Sequence, residues 1–439
     1  MWKKVITAIS LVLINVLFLM ACGGEGAETG KQDVEGMAGT GAAESSADTG
    51  TEVLGESEPE ELTGELTILS WFPFNNWEYV IEGFTKEHPG VTVTVDMPGQ
   101  EEVMTKEFME RYTTRIMAGE GFDIIESDLV NMEKCAGQEV FADLYELMEA
   151  DGDFKKEDYF SCIFGPMETD GKLPAFVYNV MPVYFHLNKK LLEQAGLEYT
   201  KETISFNELH ELYKKVRESV GEKVFLTDSN YGYGGMSEYE DGYFIRNNLM
   251  DSEEYREYLQ MRHGLYYTTE QRSVMHDGSM KIAADTLCCR SDLRLPGNNA
   301  NEVFEGTEDM TGAIAYVSMH GERYPTSIAS LSVSNYSPNK ELAWEFIKFA
   351  FSDEESSHPY SSLISPNRGK AEKACEGLAP ENKEKLFRDI EAINAYRFSD
   401  TNLYYNLESV YEDYFVNNTI TAEECCKELA SRVYLYMNE

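Results

Sequence analysis

Two hydrophobic periods alternate along the chain. Leu66 to Trp71 (LTILSW) is an apolar run of strand length. Trp77, Val80, Ile81 and Phe84 then recur at i, i+3, i+4 and i+7, the spacing of an amphipathic helix. His88-Pro89-Gly90 ends that helix. Val91 to Val95 (VTVTV) alternates with period two, as a strand does, and Met104, Phe108, Tyr112 and Ile116 return to the helical period. Phe122 to Glu126 (FDIIE) predicts a third strand. Strand, helix, strand, helix, strand predicts a parallel sheet covered by helices. In such sheets ligands sit beyond the carboxyl ends of the strands.

Later segments continue the pattern. Pro174 to Asn188 is an extended apolar run, too long for one short strand and suited to carrying the chain from one lobe into another. Ser205 and Glu208 form a capping box for a helix whose buried stripe is Leu209, Leu212, Tyr213 and Val216. Ser337 with Pro338 starts another, with Leu342, Ala343, Phe346, Ile347 and Ala350 inward. Thr421 and Glu424 cap a last helix that turns Cys425, Leu429, Val433 and Tyr436 to one face. There is no internal repeat of solenoid period.

The N-terminus changes the picture. Met1-Trp2-Lys3-Lys4 is a basic start, Val5 to Met20 an apolar run, and Leu19-Met20-Ala21-Cys22 closes it. This is the order of an export signal, and the run is short for a permanent membrane helix. The closing tetrapeptide resembles the lipobox of bacterial lipoproteins. That resemblance implies a signal peptide over 1–21, cleavage before Cys22, and a membrane anchor through lipid on Cys22. Residues 23–64 carry eleven carboxylates, one lysine and no aromatic residue. They cannot bury enough apolar surface to order themselves, so 22–64 reads as a lipidated cysteine and a disordered acidic tether.

The formal net charge of −41 argues against nucleic acid, whose binding needs a basic footprint. From about Glu65 the chain is long enough for two ordinary domains and is generous in rings, with 27 Tyr and 22 Phe overall. Besides Cys22, the cysteines are Cys135, Cys162, Cys288, Cys289, Cys375, Cys425 and Cys426. This odd, irregular set is no disulfide framework, and no C-x-x-C or HExxH implies zinc. No metal or cofactor is expected. Cys425 and Cys426 read as helix packing, whereas Cys288-Cys289 stays open to a redox role. Asp151-Gly-Asp153 reads as a solvated turn rather than a calcium loop.

ELTILSW…FTKEHPGVTVTV, GFDIIESD, VYFHLNKKLLEQAGL, SFNELHELYKKV and SPNKELAWEFIKFAFSDE occur in an order that resembles bacterial extracytoplasmic solute-binding proteins of the carbohydrate-uptake type, the maltose-binding-protein-like family 1. LISPNRGK and TAEECCKELASRVYLYM look like its later segments. The resemblance implies an α/β, two-lobed periplasmic-binding-protein-like fold, each lobe a sheet flanked by helices, with a three-segment hinge. Mapped here, the crossings fall near Tyr178–Pro182, Thr326–Ser330 and Leu363–Lys370. One lobe is then 65–179 plus 330–363 and the other 180–329 plus 364–439. It also implies a monomer that holds a carbohydrate and passes it to the permease subunits of an ABC importer. Phe185-His186-Leu187-Asn188 and Leu173-Pro174-Ala175 depart from the usual pattern, so no particular sugar preference transfers.

A neutral sugar needs aromatic faces for its C–H patch and carboxylate, amide or guanidinium groups for its hydroxyls. Position nominates Trp71, Phe72, Phe74 and Asn75 after the first strand, with Trp77 left to its helix. Glu126 and Asp128, two apart at the end of the third strand, are candidates for accepting hydroxyls, with helix capping as the alternative use. Tyr178 and Asn179 stand at the first crossing, Tyr231 and Tyr233 in a Gly- and Tyr-rich loop, and Arg323 and Tyr324 before the second crossing. No catalytic residue is assigned. The competing readings are a sugar-sensing receptor for a membrane kinase and a surface glycoside hydrolase using Glu126 and Asp128.

Overall fold

The computed structural model describes residues 61–71, 77–227, 236–265, 284–291, 293, 300–326, 329–352 and 364–438. From Thr63 onward the chain forms one compact unit. Among the described residues it contains two five-stranded sheets.

The first sheet has β1 (Thr63–Leu69), β2 (Gly90–Asp96), β3 (Ile124–Glu126), β4 (Phe176–Val177) and β10 (Ser330–Val333) in the order β2-β1-β3-β10-β4. The β1–β2 and β1–β3 pairs are parallel, as the strand–helix alternation predicts. β10, which arrives from the far end of the chain, runs antiparallel to both β3 and β4. Local periodicity reports that a strand exists, not which way its neighbour runs.

Helices α1 (Trp77–Glu87), α2 (Lys106–Ala118), α3 (Met132–Gly137), α4 (Leu144–Ala150) and α10 (Lys340–Ser352) accompany this sheet. α1 buries Trp77, Val80 and Phe84. Phe84 meets Phe346 and Phe349 of α10 edge-on, with centroids 5.1 and 5.3 Å away. Full burial of such a ring contributes about 1.5–3 kcal/mol. α2 begins two residues after Met104, with the Thr105 hydroxyl accepting the Phe108 N–H, and ends at Gly119 in the left-handed region. A Cβ at Gly119 would lie 2.3 Å from the Tyr336 ring, so glycine is required there for space as well as for φ. α10 starts at Lys340, later than Ser337-Pro338 predicts, because Ser337 is engaged with Asp123 and with the Asn339 N–H. Its buried face also takes in Trp344, Phe349 and Phe351.

The expected turn forms, with Gly152 and Asp153 exposed, but the Asp151 carboxylate is held rather than solvated. Its carboxylate accepts the Asp153 and Phe154 N–H groups, the Trp344 indole N–H at 2.9 Å and the Lys348 ammonium. Burial works against its charge, but Lys348 and Trp344 outweigh burial and hold the pKa below its ordinary value.

The second sheet has β5 (Tyr184–Leu187), β6 (Thr203–Ser205), β7 (Phe225–Thr227), β8 (Thr286–Arg290) and β9 (Ile314–Val317) in the order β6-β9-β5-β8-β7. Around it lie α5 (Lys189–Gln194), α6 (Phe206–Val220), α7 (Met236–Arg246), α8 (Glu253–His263), α9 (Ala300–Glu305), α12 (Pro380–Glu391), α13 (Thr401–Tyr411) and α14 (Ala422–Asn438), whereas α11 (Arg368–Ala374) is tied by Arg368 to Tyr159 O and the Phe160 ring. Both predicted capping boxes form, Ser205 with Glu208 at α6 and Thr421 with Glu424 at α14. Leu403 and Leu407 of α13 and Cys425, Leu429 and Val433 of α14 enter the same core as Phe185, Leu187 and Tyr316.

The chain leaves the first sheet after β4 and returns to it before β10. The two crossing stretches pair with each other. Tyr178 N–H donates to Ala329 O at 2.9 Å, Thr326 N–H to Met181 O at 2.7 Å and Val183 N–H to Tyr324 O at 3.2 Å. Val180 N–H reaches a third stretch at Ile364 O, 3.2 Å away. The buried Asn179 side chain accepts the Met181 N–H and donates to the Thr326 hydroxyl.

Candidate functional site

β1 and β3 end side by side, so Ser70 and Trp71 face Glu126 and Asp128. The two acids grip the same tryptophan. Glu126 Oε2 accepts the Ser70 hydroxyl at 2.6 Å and the Trp71 backbone N–H at 3.1 Å. Asp128 Oδ1 accepts the Trp71 indole N–H at 3.0 Å. Glu126 is fully enclosed, and the Tyr112 hydroxyl closes on its backbone carbonyl at 2.6 Å. Asp128 instead borders open space.

That space is a cavity of about 260 Å³. From the first half its wall holds Asp128, Asn131, Glu133 and Met167, and from the second half Arg246, Glu322, Tyr396, Arg397 and Phe398. Burial pushes the Asp128 carboxyl up to about 6, against the opposing pull of the Trp71 indole N–H, a backbone N–H and the Arg397 charge. Arg246, at the end of α7, pairs with Glu133 of α3 at 3.0 Å, donates to Tyr396 O and lies over the Phe398 ring. The cavity thus offers rings, guanidinium groups and carboxylates within one enclosure, the inventory that hydroxyl-rich ligands require.

The halves also meet beside the cavity. Ser399 donates to Asp128 O, Thr401 N–H to Leu129 O at 3.1 Å, and Asn402 Nδ2 to Thr113 Oγ1 at 2.9 Å. Segment 399–402, where α13 begins, therefore lies against the first half while the helix itself packs into the second core.

The nominated residues separate into groups. Asp128 lines the cavity, and Trp71 stands behind it through the indole bond. Asp128 does not cap the next helix; Asn131 does, accepting the Lys134 N–H. Glu126 meets Ser70 and Trp71 away from the cavity wall. Tyr178 is stacked on Phe351 at 5.0 Å, and Asn179 braces the crossing. Tyr324 stacks on Tyr239 at 5.0 Å and donates to Glu322, which does line the cavity. The Arg323 guanidinium lies 3.9 Å from Asp389, and its backbone is bound to Asn394 and Ala395. Phe72, Phe74, Asn75, Tyr231, Tyr233 and Cys22 lie outside the described residues.

Sequence reading missed the far wall: Arg246 and the run Tyr396-Arg397-Phe398. The only local signal is two rings flanking an arginine just before the Asp400 cap of α13. Among the described residues no group of three or more His, Cys, Asp or Glu is disposed to hold a metal ion, and no helix is long and apolar enough to cross a membrane.

Residues 74–263 match the family model of the bacterial extracellular solute-binding proteins. Three solved structures of similar fold extend the likeness to most of the chain. An ABC substrate-binding protein from Listeria monocytogenes in complex with cycloalternan is 18% identical, covering 86% of this chain and 99% of its own, with a TM-score of 0.56. Maltose-bound MalE3 from T. maritima is 20% identical over 85% of this chain and 99% of its own, with a TM-score of 0.52. The GacH receptor of Streptomyces glaucescens, solved unliganded and with acarbose, is 15% identical over 86% and 99%, with a TM-score of 0.54. No curated protein matches. The two-sheet, helix-flanked architecture is thus the two-lobed one of solute-binding proteins, and the cavity lies where segments of its two halves meet.

Proposed function

We propose that the protein is a lipid-anchored extracytoplasmic binding protein that captures a neutral carbohydrate between two lobes, 65–179 plus 330–363 and 180–329 plus 364–439, and delivers it to an ABC importer. The observation that carries this is the cavity in which Asp128 from one half faces Arg397, Tyr396 and Phe398 from the other. Its volume of about 260 Å³ lies just below the usual range of ligand pockets, roughly 300–1,000 Å³. It encloses one sugar residue of a longer glycan or glycoside. Asp128 and Arg397 take the hydroxyls, and the rings cover the C–H face. Phe72, Phe74, Asn75, Tyr231 and Tyr233 remain proposed contacts.

Binding rather than hydrolysis is favoured by the carboxylate arrangement. A glycosidase needs two carboxyl groups facing each other across the scissile bond. Glu126 and Asp128 converge on Trp71 instead. Closure is driven by whatever affinity the ligand has for the closed arrangement over the open one. The hinge that allows it is three adjacent stretches with few residues in each.

Calorimetry on residues 61–439 tests the reading, with a panel of neutral oligosaccharides and with anionic and amino-acid ligands as controls. Heat from a neutral sugar that is lost in Asp128→Asn and in Trp71→Ala is the expected result. Binding confined to the charged controls overturns it.

A further inference from the structure

The second sheet carries a group of soft donors that the carbohydrate reading does not use. His186 on β5 and Cys289 on β8 are directly opposed across an antiparallel pair. The flanking bonds, Asn188 N–H to Leu287 O and Ser291 N–H to Tyr184 O, make theirs a hydrogen-bonded pair, with Cα atoms about 5.5 Å apart. Directly opposed residues project to the same face of a sheet. Leu187 and Cys288 project to the other, into the core with Phe185 and Tyr316. The adjacent cysteines therefore belong to different environments. On the His186 side, Cys289 Sγ donates to Met310 Sδ at 3.9 Å, and Met310 is held beside β5 by its bridge to Asn188. His186, Cys289 and Met310 are 1%, 3% and 1% exposed.

The imidazole is fixed in one tautomer. Its Nδ1 lies 2.8 Å from Thr311 O, and a carbonyl only accepts, so Nδ1 carries the proton. A second proton on Nε2 would place a charged ring in the interior with no acceptor for that N–H. Nε2 is then a bare lone pair, buried and with no hydrogen-bond donor. An unsatisfied buried acceptor is costly. A histidine oriented by an Nδ1–H bond to a backbone carbonyl, with Nε2 open, is also the arrangement metal-ligating histidines adopt.

We propose that His186 Nε2, Cys289 Sγ and Met310 Sδ form a three-coordinate site for a soft monovalent cation, Cu(I). Thiolate and thioether ligands select Cu(I), whereas zinc takes four ligands, commonly Cys, His or carboxylate. Charge points the same way. Binding displaces the thiol proton to solvent, so thiolate and Cu(I) sum to zero in the buried site. A divalent ion in the same place would leave a net buried charge, which the interior penalises.

The test uses the metal-free protein under anaerobic conditions, titrated with Cu(I) held by a chromophoric bicinchoninate chelator. The wild type removes one equivalent. Cys289→Ser abolishes the transfer. His186→Ala and the nearly isosteric Met310→Leu each weaken it at least tenfold, while Cys288→Ser, on the opposite face, leaves it unchanged. X-ray absorption at the copper edge shows one nitrogen and two sulfur neighbours. No uptake by folded wild type overturns the proposal. So does uptake that persists in folded Met310→Leu and His186→Ala, or a sulfur-only copper environment. The outcome is independent of whether a sugar binds between the halves.

Discussion

Asp128, in the turn just beyond β3, is 8% exposed, and Asp241, in α7, is 4% exposed. Burial raises the pKa of both. Their partners differ in kind. Asp241 accepts Arg262 Nη1 at 2.9 Å and the hydroxyls of Tyr255 and Tyr411 at 3.2 and 3.4 Å. Arg262 in turn lies over the rings of Tyr411 and Phe415. The group bolts α7 and α8 to α13, and all of its partners come from packed helices. Asp128 has its indole bond on one side and a cavity on the other, with Arg397 acting on it electrostatically. Burial alone therefore does not separate a binding carboxylate from a scaffold carboxylate. Whether the partners close around the group does.

The largest effect is expected from breaking the bolt. Arg262→Ala leaves a buried carboxylate uncompensated, which costs about 3–5 kcal/mol. Urea unfolding of the variant, followed with and without ligand, should show stability lost and affinity per folded molecule kept. A variant that stays as stable as wild type would erase the distinction between the two aspartates.

Trp71→Phe sharpens the other side. It keeps a ring but removes the indole N–H from Asp128, leaving a buried acceptor short of a donor at a cost of about 1–3 kcal/mol. The loss should fall on ligand affinity, read by calorimetry, more than on the unfolding midpoint.

Glu240, next to Asp241, provides a pH signature for the scaffold. Burial pushes its carboxyl from the ordinary 4.5 up to about 8, although Tyr316 and the Met319 N–H donate to it. Between those values the folded protein holds a proton that the unfolded chain has released. Stability therefore falls as pH rises from about 4.5 to about 8, by at most roughly 1.4 kcal/mol per pH unit, and levels off above. Thermal melts across that range check it, and Glu240→Gln, which keeps an acceptor for Tyr316, should flatten the slope.

The smallest effect belongs to the half-exposed Glu133–Arg246 pair that joins the two halves. Glu133→Gln should change stability by about 0.2–1 kcal/mol. Small-angle scattering should show a modest shift toward an open form in the absence of ligand.

Strands β1 and β2 and helices α1, α6 and α14 were legible because their signals are local: apolar period, capping boxes, a Pro-Gly stop. The edge of the sheet that bears Asp128 followed from the same signals. The separate tasks of Glu126 and Asp128 did not. Glu126 ends β3 and Asp128 lies in the turn two residues on, and they differ because Ser70 and the Trp71 backbone reach one and a cavity reaches the other. Tyr178 and Tyr324 illustrate the same difficulty, since a ring near a crossing serves equally to stack on Phe351 or Tyr239.

By itself, the sequence determined the periodicity of the elements, their caps, the acidic segment over residues 23–64 and the presence of a chain long enough for two sheets. Those properties depend on residues a few positions apart, and short-range sterics and burial suffice to express them. Only the tertiary structure decided that β10 returns antiparallel, that Arg246 and Arg397 stand opposite Asp128, and that Cys288 and Cys289 face different interiors. Each of these depends on groups far apart in sequence being held at contact distance. That arrangement exists only once the two sheets and their helices have packed.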